Sequence, residues 1–215
     1  MQTLQLLYIF CLFLTASKAV VLGMKYYFRI QNYLAFYLII TLVLEVYGLV
    51  KTYLHQQDYA IYFNLYAIFC IVFFSLYFSK AFIVLFKNIM ILISCFLLVY
   101  IFIYIEYLSS QFLSLLGILV ALFYIFNAIL WFYQKLKLPV EGKITNDPNF
   151  WIATALLLWS TYIIFRFTPM YLFEKEDLFF LGILRKISSV VNIIMYSLFY
   201  IALVKYEIIA KNINK

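Results

Sequence analysis

The chain alternates long apolar runs with short polar interruptions, and the length of those runs decides the fold class. A helix that crosses a membrane needs about 20 mostly apolar residues. Seven stretches reach that length: 4–22, 33–50, 60–79, 88–108, 112–134, 150–168 and 188–205. Each is continuous, without the two-residue alternation of a membrane barrel strand, so each predicts a helix. The longest connections are 135–149 and 169–187, too short for a soluble domain. The pattern predicts an all-α, polytopic membrane helix bundle, with residues 1–215 forming a single domain of seven transmembrane helices.

Composition narrows the class further. Apolar residues make up 68% of the chain and charged residues 12%, with a mean hydropathy of +1.03. Soluble domains carry roughly 25% charged residues, and disordered chains combine low hydrophobicity with high charge. Both classes are excluded. The first apolar run ends in Thr15-Ala16-Ser17-Lys18-Ala19, which has the look of a signal-peptide cleavage region. Residues 1–5 contain no basic residue, however, and a signal peptide normally begins with one. The run reads as an uncleaved first helix.

Charge adds an orientation. Lys and Arg near span ends accumulate on the cytoplasmic side. Lys25, Arg29, Lys80, Lys87, Lys135, Lys137, Lys143, Lys205, Lys211 and Lys215 fall on one side, ten in all. Lys51, Lys175, Arg185 and Lys186 fall on the other, four in all. The bias predicts the N-terminus outside and the C-terminus in the cytoplasm, as an odd number of spans requires. Glu174, Glu176 and Asp177 then lie outside. The net charge of +7 reads as attraction to anionic headgroups, and nucleic-acid binding has no basis. The location expected is the cell inner membrane, multi-pass.

Candidate chemistry is sparse. His55 stands alone in a predicted outer loop with only Asp58 nearby, too few ligands for zinc. Cys11, Cys70 and Cys95 fall inside spans, form no CxxC pair and read as small buried apolar residues. Lys18 and Lys205 lie near the cytoplasmic ends of their helices and read as snorkelling to headgroups. Five glycines leave no phosphate-cradling loop. No catalytic residue, metal or cofactor is expected. The clearest local signal is Asp147-Pro148-Asn149-Phe150-Trp151. Asp147 can cap free N–H groups and Pro148 suits the first helical position, so the motif predicts the start of the sixth helix. Trp131 and Trp151 are expected in the inner aromatic belt.

Polar groups inside spans are costly enough to need a reason. Glu45 and Arg166 carry opposite signs at a similar depth near the outer interface, which predicts an ion pair between the second and sixth helices. Asn64 and Asn192 share that band. Residues three or four apart share a helix face. Tyr37, Thr41, Glu45 and Gly48 therefore form one stripe, Trp159, Tyr162 and Arg166 another, and Ser189, Asn192, Tyr196 and Tyr200 a third. Lipid offers no hydrogen-bond partners, so the stripes should face the bundle interior. They serve either as interhelical glue or as a ligand-binding pocket open to the outer side, built on Glu45, Asn64, Arg166, Asn192, Tyr162 and Tyr196. Gly117, Ala121, Tyr124 and Ala128 read as a close-packing face of the fifth helix, with Asn127 near its edge. The cytoplasmic half is expected to be drier, with Asn127 the main exception.

The order Glu45-Val46-Tyr47-Gly48, Asn64-Leu65-Tyr66, Asp147-Pro148-Asn149-Phe150-Trp151-Ile152 and Val191-Asn192-Ile193-Ile194-Met195-Tyr196 resembles uncharacterised seven-helix membrane proteins of Bacteroidetes-type bacteria. Members of that group are often encoded beside sensor kinases, which implies signalling by association. The leading expectation is a non-enzymatic, receptor-like or sensory protein. It would take a small-molecule or lipid ligand from the outer side. A membrane or cytoplasmic signalling partner would dock on 135–150 and 205–215. One alternative is an integral subunit of an envelope secretion or transport assembly. Another is a membrane enzyme using Glu45 as acid or base and Arg166 as phosphate clamp. That enzyme would lack the second acidic or His group such chemistry uses.

Overall fold

A computed structural model describes residues 2–26, 33–54, 60–109, 111–138, 142–173 and 178–213. Arg29, His55, Asp58, Glu174, Lys175, Glu176, Asp177 and Lys215 lie outside the described residues. The helices are α1 (Gln2–Tyr26), α2 (Leu34–Tyr53), α3 (Ala60–Ser79), α4 (Val84–Tyr104), α5 (Ser114–Lys137), α6 (Pro148–Phe173) and α7 (Leu178–Ile213). A 3-10 turn, Ile144–Asn146, precedes α6. All seven helices are long and apolar enough to cross a membrane, as the hydrophobic pattern predicts. The end of the bundle where α1 begins is called the amino end, and the end where α7 finishes the carboxy end.

Several boundaries differ from the sequence reading, most of all those of the fourth helix and of the last two. The fourth helix starts one turn earlier and stops at Tyr104 instead of 108. Lys87 lies in its first turn, donating its backbone N–H to the Ile83 carbonyl at 2.8 Å. Ile105 is extended, at φ −116° and ψ 127°, and ends the helix directly before the charged Glu106. The predicted long connection 169–187 is mostly helix, since α6 runs through Pro169 to Phe173 and α7 begins at Leu178. With 36 residues, α7 is about 54 Å long, well beyond a hydrocarbon core of about 30 Å.

Helix packing closes a ring. Going round it, α1 packs on α2, α2 on α3, α3 on α5, α5 on α6, α6 on α7 and α7 back on α1. The remaining helix, α4, sits outside the ring against α3 and α5. Its outer face presents Leu92, Phe96 and Ile103, all strongly exposed. Lipid tails are as apolar as these side chains, so close packing rather than water exclusion holds the ring together. The α5–α6 seam shows how. Ala121 and Ala128 are fully buried, and a Cβ placed on Gly117 would lie 2.8 Å from the Phe167 ring. The close-packing face expected on the fifth helix is therefore present. Asn127 is part of its interior, with no exposed surface.

An aromatic spine on α3 fills the ring. Phe74 packs edge-on against Tyr124 of α5 with centroids 4.9 Å apart and against Tyr37 of α2 at 5.0 Å. Tyr37 also meets Phe199 of α7 at 6.2 Å. Aromatic pairs of this kind add about 0.5–1.5 kcal/mol each beyond the area they bury. Trp131, expected in an interfacial belt, is instead completely buried. Its position on the inward face of α5, four residues from Asn127 and three from Ala128, places it in the core.

Buried amides lock the outer helix to the ring. Asn64 of α3 donates to the carbonyls of Ser109 at 3.3 Å and Gln111 at 3.0 Å, and accepts from the Leu113 N–H at 3.1 Å. It pins the α4–α5 connection at the amino end. Gln134 of α5 does the same for the α3–α4 turn at the carboxy end, donating to the Ala81 carbonyl at 3.2 Å and accepting from the Ile83 N–H at 3.0 Å. Backbone groups in these turns have no helical partner, and the amides supply one. With Gln134 there, the carboxy-end half is not as dry as its sequence suggests.

Polar contacts also gather the helix ends on that side. Lys18 of α1 and Lys211 both pair with Glu207 of α7, the second at 2.9 Å. Lys18 therefore has a specific partner and does not simply snorkel. Lys205 reaches Asn146 at 3.2 Å, ahead of α6. Asp147 accepts from the Asn149 N–H at 2.9 Å, the capping bond the sequence predicts, and pairs with Lys135 at 2.9 Å. Asn149 in turn accepts from the Tyr77 hydroxyl of α3 at 2.8 Å. The start of α6 is thus tied to α3, α5 and α7. Trp151 donates to the Thr145 carbonyl at 2.9 Å.

Candidate functional site

The inward stripes predicted on α2, α6 and α7 exist, but they do not assemble one pocket. Glu45 and Arg166 do not pair. Among the described residues, the ion pairs are Lys18–Glu207, Lys135–Asp147 and Lys211–Glu207. The ring order gives the reason. α2 packs between α1 and α3, and α6 between α5 and α7, so the two helices stand on opposite sides of the ring. Depth along the membrane was legible in the sequence, whereas position around the ring was not.

Each of the two charges has another partner. Glu45 Oε2 accepts from the Tyr8 hydroxyl of α1 at 2.8 Å. Arg166 Nη1 donates to Ser188 Oγ of α7 at 3.0 Å. Tyr162, one turn before Arg166, donates to the Leu184 carbonyl at 2.6 Å and lies 3.0 Å from the same Ser188 hydroxyl. Tyr162 and Arg166 are therefore brought together as an α6–α7 tie near the amino end. Asn192 accepts from Trp159 Nε1 at 3.0 Å, a second tie between the same helices. Asn64 commits both its donors and its acceptor to the α4–α5 connection. On α7, Ser189 and Tyr196 are buried, but Tyr200 is 41% exposed and leaves the inward stripe.

What does converge is a group of hydroxyls inside the ring. Tyr37 and Thr41 of α2, Tyr66 and Cys70 of α3, Tyr124 of α5 and Tyr196 of α7 are electrostatic neighbours at the middle of the bundle. Glu45 adds the one carboxylate that faces Tyr196. Thr41 Oγ donates to the Tyr37 carbonyl, and its oxygen lies 2.6 Å from the Tyr66 hydroxyl. Tyr66 stacks on Tyr37 with centroids 6.4 Å apart. Thr15 of α1 reaches the Tyr196 carbonyl at 3.2 Å. Tyr124 leans on Trp159 at 5.9 Å, joining the centre to the Trp159–Asn192 tie. Five helices of the six-membered ring supply a polar atom to this centre, and α6 supplies the wall beside it.

The centre carries unmet hydrogen-bonding capacity. The Tyr124 hydroxyl, with only 2% of the residue exposed, meets no partner at full hydrogen-bonding geometry and is left with loose polar contacts to Cys70 and Tyr37. Asn127 Oδ1 and Trp131 Nε1, on the same face of α5, are also unpartnered, as is Ser160 Oγ of α6. A buried polar group without a partner costs about 1–3 kcal/mol, and membrane interiors supply no replacement.

Sequence reasoning identified Glu45, Tyr37, Thr41 and Tyr196 on inward stripes but missed Tyr8, Tyr66, Cys70 and Tyr124 as their companions. Cys70 reads as an apolar filler in isolation, yet it is 3% exposed among phenols. Cys95, also expected to be buried, is on an exposed face, and all three cysteines are free thiols. Tyr66 and Tyr124 are hard to single out among 21 tyrosines. Among the described residues, no group of three or more His, Cys, Asp or Glu gathers to hold a metal. Comparison with protein-family models, with curated proteins and with solved structures finds no match.

Proposed function

We propose that this chain is a non-enzymatic, receptor-like seven-helix protein of a bacterial inner membrane, with its N-terminus outside and its C-terminus in the cytoplasm. A small ligand binds at the hydroxyl centre, and α7 carries the response to a membrane or cytoplasmic signalling partner. The observation that carries the reading is the convergence of hydroxyls, one thiol and one carboxylate from five helices, with the buried Tyr124 hydroxyl short of any partner at full hydrogen-bonding geometry. Glue alone needs only pairwise bonds, as Asn64 and Gln134 provide elsewhere. A polar centre enclosed by aromatic walls has the composition of a ligand site.

The non-enzymatic reading draws support from the separation of the charges. An enzyme using Glu45 as acid and Arg166 as phosphate clamp would need them on one substrate, and each has its own partner on a different side of the ring. For the response, α7 holds Tyr196 at the centre and Glu207 near the carboxy end, where Lys18, Lys211 and the 3-10 turn ahead of α6 converge. A change of packing around Tyr196 would reach that surface along one rigid helix. The signalling role also agrees with the sequence resemblance to proteins encoded beside sensor kinases.

The test is the thermal stability of the purified protein in mild detergent, with and without fractions of an organic extract of its host membrane. A fraction that raises the melting temperature of the native chain, but not of Tyr124→Phe, supports the reading. A stoichiometric polypeptide that co-purifies, with no extract effect at all, favours the envelope-assembly subunit instead. A reporter active only in the cytoplasm, fused after residue 215, tests the orientation.

A further inference from the structure

The ring of helices has one loose seam. Between α2 and α3 lies a groove of about 420 Å³, lined almost wholly by apolar atoms. Ile40, Val43 and Leu44 form one wall, and Leu65, Phe69 and Tyr66 the other. Val43 is 62% and Leu65 42% exposed, so the groove opens sideways. Because α2 and α3 both have the length and apolarity of membrane spans, what lies outside it is hydrocarbon. Its volume falls within the range of small-molecule sites, about 300–1,000 Å³. The inner wall is Tyr66, whose hydroxyl lies 2.6 Å from Thr41 Oγ and whose ring stacks on Tyr37. One side chain thus belongs both to the lipid-facing groove and to the hydroxyl centre.

We infer that the α2–α3 groove is a lateral entrance through which the ligand of the hydroxyl centre arrives from the bilayer, and that this ligand is a neutral lipophile whose head accepts hydrogen bonds, such as a long-chain ketone or quinone. The inference rests on the reading of the hydroxyl centre as a binding site and adds the ligand class and its route. An apolar tail is required by the groove, which offers it no polar partner. The head is specified by the centre. The Tyr66 proton is committed to Thr41 Oγ, whose own proton goes to the Tyr37 carbonyl, so the donor on offer is the phenolic O–H of Tyr124, a group that donates well to a carbonyl oxygen. That hydroxyl meets no partner at full hydrogen-bonding geometry, only Cys70 and Tyr37 beside it, so a carbonyl oxygen would be a better acceptor than either. An anionic head does not suit the site. The formally charged side chain that acts on the centre is Glu45, a neighbour of Tyr196, and it is acidic. Arg166, the cation that would attract a carboxylate, stands across the ring on Ser188.

The test uses three photoactivatable probes of one chain length: a methyl ketone, a carboxylate and a plain alkane, each with a diazirine and an alkyne. The full chain is reconstituted in vesicles of phosphatidylethanolamine and phosphatidylglycerol, and labelled residues are mapped by mass spectrometry. The expected result is ketone labelling on α2, α3 and the middle of α5, exceeding the other two probes by about tenfold, the worth of roughly one hydrogen bond. Val43→Trp, which fills the groove, should abolish that preference, while Leu92→Trp on the outer face of α4 leaves it unchanged. Tyr124→Phe should weaken it with the groove intact. Each variant is checked for monodisperse elution, and Ile40→Phe replaces Val43→Trp if the latter does not fold.

Equal labelling by all three probes, spread over α4 as well, would mean annular lipid only and would overturn the inference. A carboxylate preference would overturn the ligand class. Undiminished ketone labelling of α5 in the groove-filled variant would overturn the lateral route while leaving the hydroxyl centre as a binding site. The inference and the reading beneath it therefore fail separately.

Discussion

Lys18 near the end of α1 forms an ion pair with Glu207 near the end of α7, closing the ring of helices between its first and last members. Both side chains are partly covered, 24% and 17% exposed, so the pair is neither a solvated surface contact nor a fully buried one. Lys211 supports it from the next turn of α7.

Glu207→Gln should lower stability by about 1 kcal/mol, between the values for exposed and buried pairs. Lys18→Met should cost less, because Lys211 still neutralises Glu207. The double variant should be less harmful than the sum of the two. Thermal melts in mild detergent measure all three, and strict additivity would contradict the pairing.

Tyr8→Phe and Glu45→Gln should be coupled, since they remove two sides of one hydrogen bond. Glu45→Gln and Arg166→Gln should instead be additive within about 0.5 kcal/mol, as residues without shared partners are. A coupling energy well above that for Glu45 and Arg166 would bring back the ion pair that the ring order forbids.

Asn64→Leu and Gln134→Leu should each destabilise by roughly 1–3 kcal/mol, because each strands buried backbone groups. The local signature separates them. Hydrogen exchange should accelerate around residues 109–113 in the first and around residues 81–83 in the second. Acceleration in the hydroxyl centre with protected loops would show that these amides do not act as clamps.

Asp147→Ala should cost about 1 kcal/mol from the lost cap, plus the contact with Lys135. Asp147→Asn keeps a capping oxygen and loses only the charge, so it should recover most of that loss. Exchange at the first turn of α6 reports the cap directly. Equal damage from the two variants would assign the effect to the ion pair alone.

Gly117→Ala should destabilise by about 1–3 kcal/mol through overpacking, since the new methyl meets the Phe167 ring. Phe167→Leu in the same chain should recover part of the loss. Gly182→Ala, where nothing lies within 4 Å, serves as the control and should be close to neutral.

The sequence by itself determined that the chain crosses a membrane seven times, where α3 begins and ends, and how α6 starts. These are local properties. The run from Ala60 to Ser79 is apolar enough to need lipid wherever it sits, and Asp147 caps the N–H two residues away whatever packs nearby. It also indicated which faces of α2 and α7 turn inward, because Tyr37, Thr41 and Tyr196 recur with the helical period. Tertiary structure alone decided who meets whom. Depth is read along one helix, but azimuth around the bundle depends on how every helix packs at once. Matching charge and depth therefore suggested Glu45 with Arg166, whereas the closed ring puts those helices opposite each other and gives Glu45 to Tyr8 and Arg166 to Ser188. The same matching applied to Lys18 and Glu207 would have found a real pair, because α1 and α7 are neighbours in the ring. Tyr66, Cys70 and Tyr124 form a centre for a related reason. Each is ordinary in its own helix, and only the packing of α2, α3, α5 and α7 around one interior brings them together.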